Sequence, residues 1–225
     1  MAGRVWAITA VDTGCGKTIV TGSLARYLLD KGFSVITQKL VQTGCSGLSE
    51  DILEHRRIMN LPLQQADHDG LTCPYVFAFP ASPHLSAGLE HQQIDPERIF
   101  QSTRCLQEQY DVVLLEGVGG LMVPLTPSYT VRDHLVIGRY PLLLVSSARL
   151  GSINHTLLSL EACLDAGLEV AALVYNHHPQ VASEIFSSTR AYLSQELHRS
   201  YPGAILIDFP EDRTASSTNI WQSLF

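Results

Sequence analysis

The sequence predicts an α/β fold, a doubly wound, mostly parallel β-sheet flanked by helices. Short continuous apolar runs of strand length alternate with stretches of helical periodicity, a pattern typical of parallel strands that are buried on both faces. The repeated strand–helix–strand order implies right-handed crossovers, and ligands of such sheets bind beyond the carboxyl ends of the strands. We find no internal repeat and no linker, so residues 1–225 are expected to form a single domain.

Six apolar runs are expected to form the strands of this sheet. In chain order they are Val5 to Thr9, Val35 to Gln38, Val112 to Leu115, Pro141 to Ser146, Val170 to Tyr175 and Ile205 to Ile207. Three helices are predicted between them: Lys17 to Lys31, Pro96 to about Gln109 after an Asp95 cap, and Ile153 to Ala166 after a Ser152 cap. The first and third of these end before a glycine, which is a common helix stop signal.

Composition excludes several classes of protein. Fifteen Lys and Arg residues against 22 Asp and Glu residues give a net charge of −7, which argues against nucleic acid or an anionic membrane as the main partner. No signal peptide and no apolar run of membrane-spanning length are visible. The five cysteines are scattered without metal-ligand spacing, so we expect reduced thiols and a cytoplasmic protein.

A glycine loop follows the first predicted strand, and it predicts a nucleotide-binding site in a P-loop NTPase-like fold. The segment Asp12-Thr13-Gly14-Cys15-Gly16-Lys17-Thr18 would point its N–H groups at a phosphate, next to the positive end of the following helix. Lys17 would add a cation and the Thr18 hydroxyl could hold Mg²⁺. Such loops usually begin with a further glycine, whereas this chain has Ala10 and Val11, which leaves the entry to the loop open.

Two later segments supply charged groups at the ends of strands. Glu116 ends the third predicted strand, where a carboxylate can hold magnesium or its water, and glycines follow it. Lys39 ends the second predicted strand and could point at the same phosphoryl group as Lys17, although a solvated lysine would also fit there. Asp51 lies at the predicted start of a helix, where it could equally be a first-turn acid.

Taken together, these motifs resemble the dethiobiotin synthetase family. The resemblance rests on Asp12 to Thr18, on Lys39-Leu40-Val41-Gln42-Thr43-Gly44 with leucine in place of the family's proline, and on Glu116-Gly-Val-Gly-Gly120. Ser82-Pro83-His84, Val123-Pro124-Leu125, Leu150 to His155 and Asn176 extend it in order, so it covers residues 5 to about 180. It weakens toward Ile207-Asp208-Phe209-Pro210, where the family often has a glycine.

The resemblance implies an ATP- and Mg²⁺-dependent ring closure of 7,8-diaminononanoate with carbon dioxide, in a homodimer. It implies catalytic roles for Lys39, Lys17 and Thr13, and metal binding by Thr18, Asp51 and Glu116. It implies substrate binding by Thr43 and, across the dimer interface, by Gly151, Ser152 and Asn154. The remaining nucleotide-binding residues that it implies are Gly14, Cys15, Gly16, Ile19, Gly117, Val118, Gly119, Asn176, Pro210, Glu211 and Asp212.

Three other classes of protein are less favoured by the sequence. A ParA/MinD-like dimeric nucleotide switch shares the predicted fold, but it usually carries a further lysine early in its loop, where this chain has Val11-Asp12. Amidating relatives such as cobyrinate diamide synthetases need an additional glutaminase domain, for which 225 residues leave no space. A small-molecule kinase is less favoured because no arginine-rich lid segment is visible.

Overall fold

Parallel strands form the centre of the molecule, as the computed structural model of residues 2–210 and 220–224 describes it. The strands are β1 (Arg4–Ala10), β2 (Val35–Lys39), β3 (Gln42–Thr43), β4 (Val76–Phe77), β5 (Val112–Gly120), β6 (Pro124–Thr126), β7 (Tyr129–Thr130), β8 (Leu142–Ser147), β9 (Val170–Asn176) and β10 (Ile205–Phe209). The helices are α1 (Lys17–Asp30), α2 (Glu50–Met59), α3 (Gln65–His68), α4 (Pro83–Leu89), α5 (Pro96–Gln107), α6 (Val131–Gly138), α7 (Ser152–Asp165) and α8 (Ser183–Ser200).

Six strands form the main sheet in the order β10-β9-β8-β1-β5-β2, and every neighbouring pair is parallel. All six correspond to the predicted apolar runs, so the doubly wound α/β prediction is confirmed. In the register of the sheet, Lys39 lies opposite Glu116 and Ile8 also pairs with Glu116. The ends of β1, β2 and β5 therefore meet at one edge, which brings the phosphate loop, Lys39 and Glu116 together.

Alternate residues of each central strand pack on opposite faces of the sheet. Ala7 of β1 belongs to a core with α5, α7 and α8, whereas its neighbour Ile8 belongs to a core with α1. Because both faces are covered, the strands are apolar without polar alternation, which is why they read as continuous runs in the sequence. Two short pairs, β3 with β4 and β6 with β7, lie outside the main sheet.

Two details differ from the sequence prediction or complete it. Ser152 is not the cap of α7 but its first residue, because Gly151 takes the N-cap position with φ 93°. At the entry to the phosphate loop, Ala10 is the last residue of β1 and Val11 donates its N–H to the Val145 carbonyl at 3.0 Å. Among the described residues, positive φ outside glycine occurs only at Asn60, His91 and Arg139, so the loop entry does not require glycine.

None of the helices within residues 2–210 and 220–224 has both the length and the hydropathy that crossing a membrane requires.

Candidate active site

The phosphate loop joins β1 to α1 and depends on glycine at its last turn. Gly16 is the N-cap of α1 with φ 92°, a left-handed conformation that favours glycine. A Cβ at Gly16 would lie 2.3 Å from the Asn176 side-chain nitrogen, so space excludes a larger residue as well. That Asn176 nitrogen donates to the Cys15 carbonyl at 2.9 Å and thereby ties the loop to the end of β9.

Lys17 starts α1 and is 7% exposed. Its Nζ donates to the Asp12 carbonyl of its own loop at 3.3 Å. Burial, together with the nearby charge of Lys39, lowers its pKa from 10.5 to about 8. The charged form of this buried amine is therefore disfavoured in the free protein. A bound phosphate would supply the negative charge that stabilises it.

Three oxygen-bearing side chains from three elements converge beside the loop. The Thr18 hydroxyl of α1 lies 2.9 Å from Asp51 Oδ1 of α2 and 3.2 Å from Glu116 Oε1 of β5. Glu116 is fully buried, whereas the Asp51 side chain is 24% exposed. Two carboxylates and a hydroxyl at this spacing form a hard-oxygen donor set at the mouth of the phosphate loop.

Lys39 neutralises this acidic cluster. Its Nζ lies 2.6 Å from Asp51 Oδ2 and 2.8 Å from Glu116 Oε1, and it donates to the Gly117 carbonyl at 3.0 Å. Burial alone would lower the pKa of Lys39, but the charges of Glu116 and Asp51 outweigh it and raise that pKa. Burial alone would likewise raise the pKa of Glu116, yet Lys39 and a hydrogen bond from His55 hold it well below its usual range. Both groups are therefore charged at neutral pH.

The start of α2 explains why Asp51 points into the site. Ser49 is the N-cap and its hydroxyl accepts from the Ile52 N–H at 3.3 Å, so Asp51 is not needed as a cap. The Gln42 side-chain oxygen accepts from the Ser49 hydroxyl at 2.8 Å and from the Asp51 N–H at 3.4 Å. The first turn of α2 is thus fixed to β3, and the Asp51 carboxylate is left for Thr18 and Lys39.

A cavity of about 920 Å³ opens over the loop and the acidic cluster. Twelve of the residues predicted for the site line it: Thr13, Gly14, Gly16, Lys17, Thr18, Ile19, Lys39, Thr43, Asp51, Glu116, Val118 and Gly119. Glu50, Glu54 and the segment 80–83, which contains the Ser82-Pro83 motif, also line this cavity. Residues that are far apart in the chain therefore share one concave site.

The remaining predicted residues lie around this cavity or away from it. The Cys15 side chain is buried with its sulfur 4.0 Å from the Ser147 hydroxyl, so only its backbone faces the loop. Gly117 contributes its carbonyl to Lys39, and Asn176 uses its amide on backbone groups at Cys15 and His178. Within the described residues, Pro210 and the α7 start (Gly151, Ser152 and Asn154) do not line the cavity of their own chain. Glu211 and Asp212 lie outside the described residues.

Sequence reasoning missed His55. Its Nε2 lies 2.8 Å from Glu116 Oε2, and both side chains are fully buried. His55 follows Asp51 by four residues, so the two share one face of α2, and this spacing is the signal that could have found it.

The donor set fits a magnesium ion. Within residues 2–210 and 220–224, no group of three or more His, Cys, Asp or Glu residues could hold a metal by itself. Mg²⁺ is commonly held by one or two carboxylates together with substrate phosphates and water, rather than by an all-protein cage. The pair Asp51 and Glu116 with the Thr18 hydroxyl, next to the phosphate loop, matches that chemistry.

Comparison with protein families and curated relatives gives a consistent result. A family described as an AAA domain matches residues 4–205. The ATP-dependent dethiobiotin synthetase BioD of Chlorobaculum tepidum is 55% identical over 88% of this chain and 83% of its own length. The ATP-dependent dethiobiotin synthetase BioD 2 of Haemophilus ducreyi is 46% identical over 89% of this chain and 95% of its own length.

Solved structures share the fold at much lower identity. A cell division ATPase MinD from Pyrococcus furiosus superposes with a TM-score of 0.57 at 20% identity, covering 96% of this chain and 86% of that one. A ParA family ATPase from Chlorobium tepidum gives a TM-score of 0.55 at 15% identity, covering 99% and 93%. These likenesses support a P-loop ATPase fold.

Proposed function

Because the chain belongs to the ATP-dependent dethiobiotin synthetase family, an ATP-dependent ligase family of biotin biosynthesis, we propose that it closes the cyclic urea ring of dethiobiotin. The substrates are 7,8-diaminononanoate, carbon dioxide and ATP, and the other products are ADP and phosphate. The convergence of Lys39, the Thr18–Asp51–Glu116 set and the phosphate loop on one cavity carries this proposal.

The reaction proceeds in three steps that need no protein nucleophile. One substrate amine adds to carbon dioxide and loses a proton, which gives a carbamate. A carbamate oxygen attacks the γ-phosphorus of ATP, ADP leaves, and a mixed carbamic-phosphoric anhydride forms. The neighbouring amine then attacks the carbamoyl carbon, phosphate leaves with the C–O bonding electrons, and loss of the amine proton completes the cyclic urea.

Alignment and charge neutralisation are therefore the work of the protein. Lys17 holds the nucleotide phosphates from inside the loop. Lys39 approaches the transferred phosphoryl group from β2, exchanging part of its contact with Asp51 and Glu116 for phosphate oxygens. Thr18, Asp51 and Glu116 would hold Mg²⁺, which supplies further positive charge to the phosphates.

The organic substrate binds in the same cavity, beside the nucleotide phosphates. Thr13 and Thr43 line the cavity, and their hydroxyls hold the carbamate and the amines. Because both amines belong to one molecule, ring closure is intramolecular, an advantage that can reach about 7–11 kcal/mol. The substrate carboxylate binds at the α7 start of the second protomer, where Gly151, Ser152 and Asn154 offer N–H groups and a side-chain amide.

At the other end of the nucleotide, the base lies near Asn176 and the segment that follows β10, including Pro210, Glu211 and Asp212. Gly14, Cys15, Gly16 and Ile19 surround the phosphates, with Gly117, Val118 and Gly119 at the end of β5. We place the protein in the cytoplasm, as a homodimer that acts on small molecules and on neither nucleic acid nor membrane.

The direct test is to incubate the protein with 7,8-diaminononanoate, bicarbonate, ATP and Mg²⁺, and to search for the cyclic urea by mass spectrometry. We expect the urea and phosphate to appear together, and only when the diamine is present. Phosphate release that is independent of the diamine, without the urea, would instead favour a ParA/MinD-like nucleotide switch.

A further inference from the structure

His55 is a fully buried histidine with one polar task in the described structure. Its Nε2 lies 2.8 Å from Glu116 Oε2. Its other ring nitrogen, Nδ1, is buried with no hydrogen-bond partner among the described residues. An unpartnered buried polar atom costs free energy, so an apolar side chain would serve packing better at this position. The imidazole is therefore explained by its contact with Glu116 and not by the core.

The two carboxylate oxygens of Glu116 have different partners. Oε1 lies 2.8 Å from Lys39 Nζ and 3.2 Å from the Thr18 hydroxyl, on the side of Asp51. Among the described residues, Oε2 accepts a hydrogen bond from His55 only. An ionised carboxylate can only accept, so the hydrogen of the pair resides on His55 Nε2. Rotation of the carboxylate would break this bond, which holds the plane of Glu116 in place.

Asp51 and His55 share one face of α2, so a single helix presents both groups to the donor set. The helix itself is anchored elsewhere. Arg56 binds both oxygens of Asp67 at 2.7 and 2.9 Å and donates to the Thr37 hydroxyl at 2.9 Å. The position of α2 does not depend on His55, so loss of the imidazole would act on Glu116 and leave the helix in place.

From these contacts we propose that His55 is a positioning residue for the magnesium site: it fixes the Glu116 carboxylate so that Oε1 faces Thr18 and Asp51. The proposal rests on the proposed function only in placing Mg²⁺ on Thr18, Asp51 and Glu116. Without His55, the Glu116 carboxylate turns toward Lys39, pairs with it more fully, and is less available to the ion. Loss of comparable outer contacts in metal sites typically weakens metal affinity or activity by about 10–100-fold.

The experiment measures binding of a non-hydrolysable ATP analogue by calorimetry, with Mg²⁺ and with EDTA, for the wild type and for His55→Leu. Mg²⁺ is expected to strengthen binding of the analogue to the wild type. In His55→Leu we expect the Mg²⁺ concentration that gives half of this gain in affinity to rise by about 10–100-fold, with the affinity in EDTA unchanged. His55→Gln, whose amide N–H can reach Glu116, should recover most of the enhancement. A merely structural role for His55 would lower both affinities together and would not be rescued in this pattern.

The matched control is His134→Leu. His134 is also fully buried and has an unpartnered Nε2, but it lies on α6 away from the cavity. The His134→Leu variant should show the same magnesium response as the wild type. If His55→Leu fails to fold, His55→Phe keeps the ring volume and is measured in its place. A wild-type magnesium response in a folded variant without the imidazole overturns the proposal.

The assay needs no diamine, so its outcome is independent of dethiobiotin formation. If the wild type makes no cyclic urea but His55→Leu loses the magnesium response, the proposed reaction is refuted and the positioning role of His55 is supported. If the wild type makes the cyclic urea and His55→Leu keeps the wild-type magnesium response, only the positioning role of His55 is refuted.

Discussion

Lys17 is a buried ammonium whose pKa of about 8 lies close to physiological pH. Bound phosphates stabilise its charged form and shift the pKa back toward 10.5. Below pH 8 the free protein already carries this proton and affinity is insensitive to pH. Above it, binding must be accompanied by proton uptake, so affinity for ATP falls as pH rises, by at most about tenfold per pH unit.

Calorimetry in buffers of different ionisation enthalpy would measure this uptake between pH 7 and pH 9.5. Lys17→Arg is the control, since a guanidinium remains charged throughout this range. Wild-type affinity that stays constant up to pH 9.5 would show that Lys17 is not the group that meets the phosphates.

Lys39 combines its ion pairs in the site with the catalytic role that we propose for it. We expect Lys39→Ala to abolish urea formation, because no other cation approaches from β2, while nucleotide binding through the loop persists. The same change leaves the buried Glu116 charge with less compensation, and unpairing of a buried ion pair costs about 3–5 kcal/mol. The lower end applies here because Glu116 keeps its hydrogen bond from His55.

The rate of dethiobiotin formation and the stability against urea denaturation of Lys39→Ala would be compared with those of Lys31→Ala. Lys31 lies at the exposed end of α1. The control should match the wild type in both measurements. Near-normal turnover in Lys39→Ala would remove this residue from the mechanism.

The charged residues of the loop and of the strand ends could be found from sequence because motif and position coincide. Lys17, Lys39 and Glu116 each follow an apolar run that forms a strand of the sheet. His55 belongs to no such motif and its partner Glu116 lies 61 residues later, so its one signal in the sequence is the four-residue spacing from Asp51 on α2. Only the register of β2 against β5 brings the face of α2 over Glu116.

At the scale of elements, a buried ion pair helps to anchor α2. Arg56 and Asp67 are 3% and 2% exposed, and burial alone would raise the pKa of Asp67, but the Arg56 guanidinium holds it below its usual value. Arg56→Leu leaves this carboxylate unpaired and is expected to lower the free energy of unfolding by about 3–5 kcal/mol.

Urea denaturation measures this loss, and the adjacent residue supplies its control. Arg57 pairs with Glu54 on the exposed side of the helix, so Arg57→Leu should change stability little. If both variants unfold at the same urea concentration, the buried pair does not anchor α2.

Elements with a clear sequence pattern were predictable and others were not, whatever their length: α8 has 18 residues, yet it is not among the three predicted helices. The six sheet strands were recognised because burial on both faces makes them continuously apolar. β3, β4 and β7 have two residues each, too few for a period to appear, and they pair with other short strands outside the main sheet. Serine commonly caps helices, so the sequence predicts a Ser152 cap for α7, whereas Gly151 takes that position through its left-handed backbone.

At the scale of the whole molecule, the α7 start marks the expected dimer interface. Leu150, which precedes it, is 88% exposed in the single chain, and Arg149 beside it pairs with Asp12 of the phosphate loop. A two-fold dimer that covers Leu150 would bring Asn154 of one protomer toward the cavity of the other.

Mixing two inactive proteins tests this shared site. If each site combines Lys39 of one protomer with Asn154 of the other, a heterodimer of Lys39→Ala and Asn154→Ala protomers contains one intact site. Random exchange of protomers makes half of the dimers mixed, so activity should return to about one quarter of wild type. Sites confined to single protomers would give no recovery, and light scattering before and after mixing would verify the dimers.

The amide of Asn176 has a consequence for engineering nucleotide selectivity. One of its groups supports the carbonyl of Cys15 and the other receives the N–H of His178. A substitution of Asn176 that is meant to change base selectivity would therefore also remove the hydrogen bond that supports the phosphate loop at Cys15. With the base placed near Asn176 as proposed, base selectivity and triphosphate affinity depend on the same amide, so a redesign of selectivity would change other residues around the base and keep Asn176.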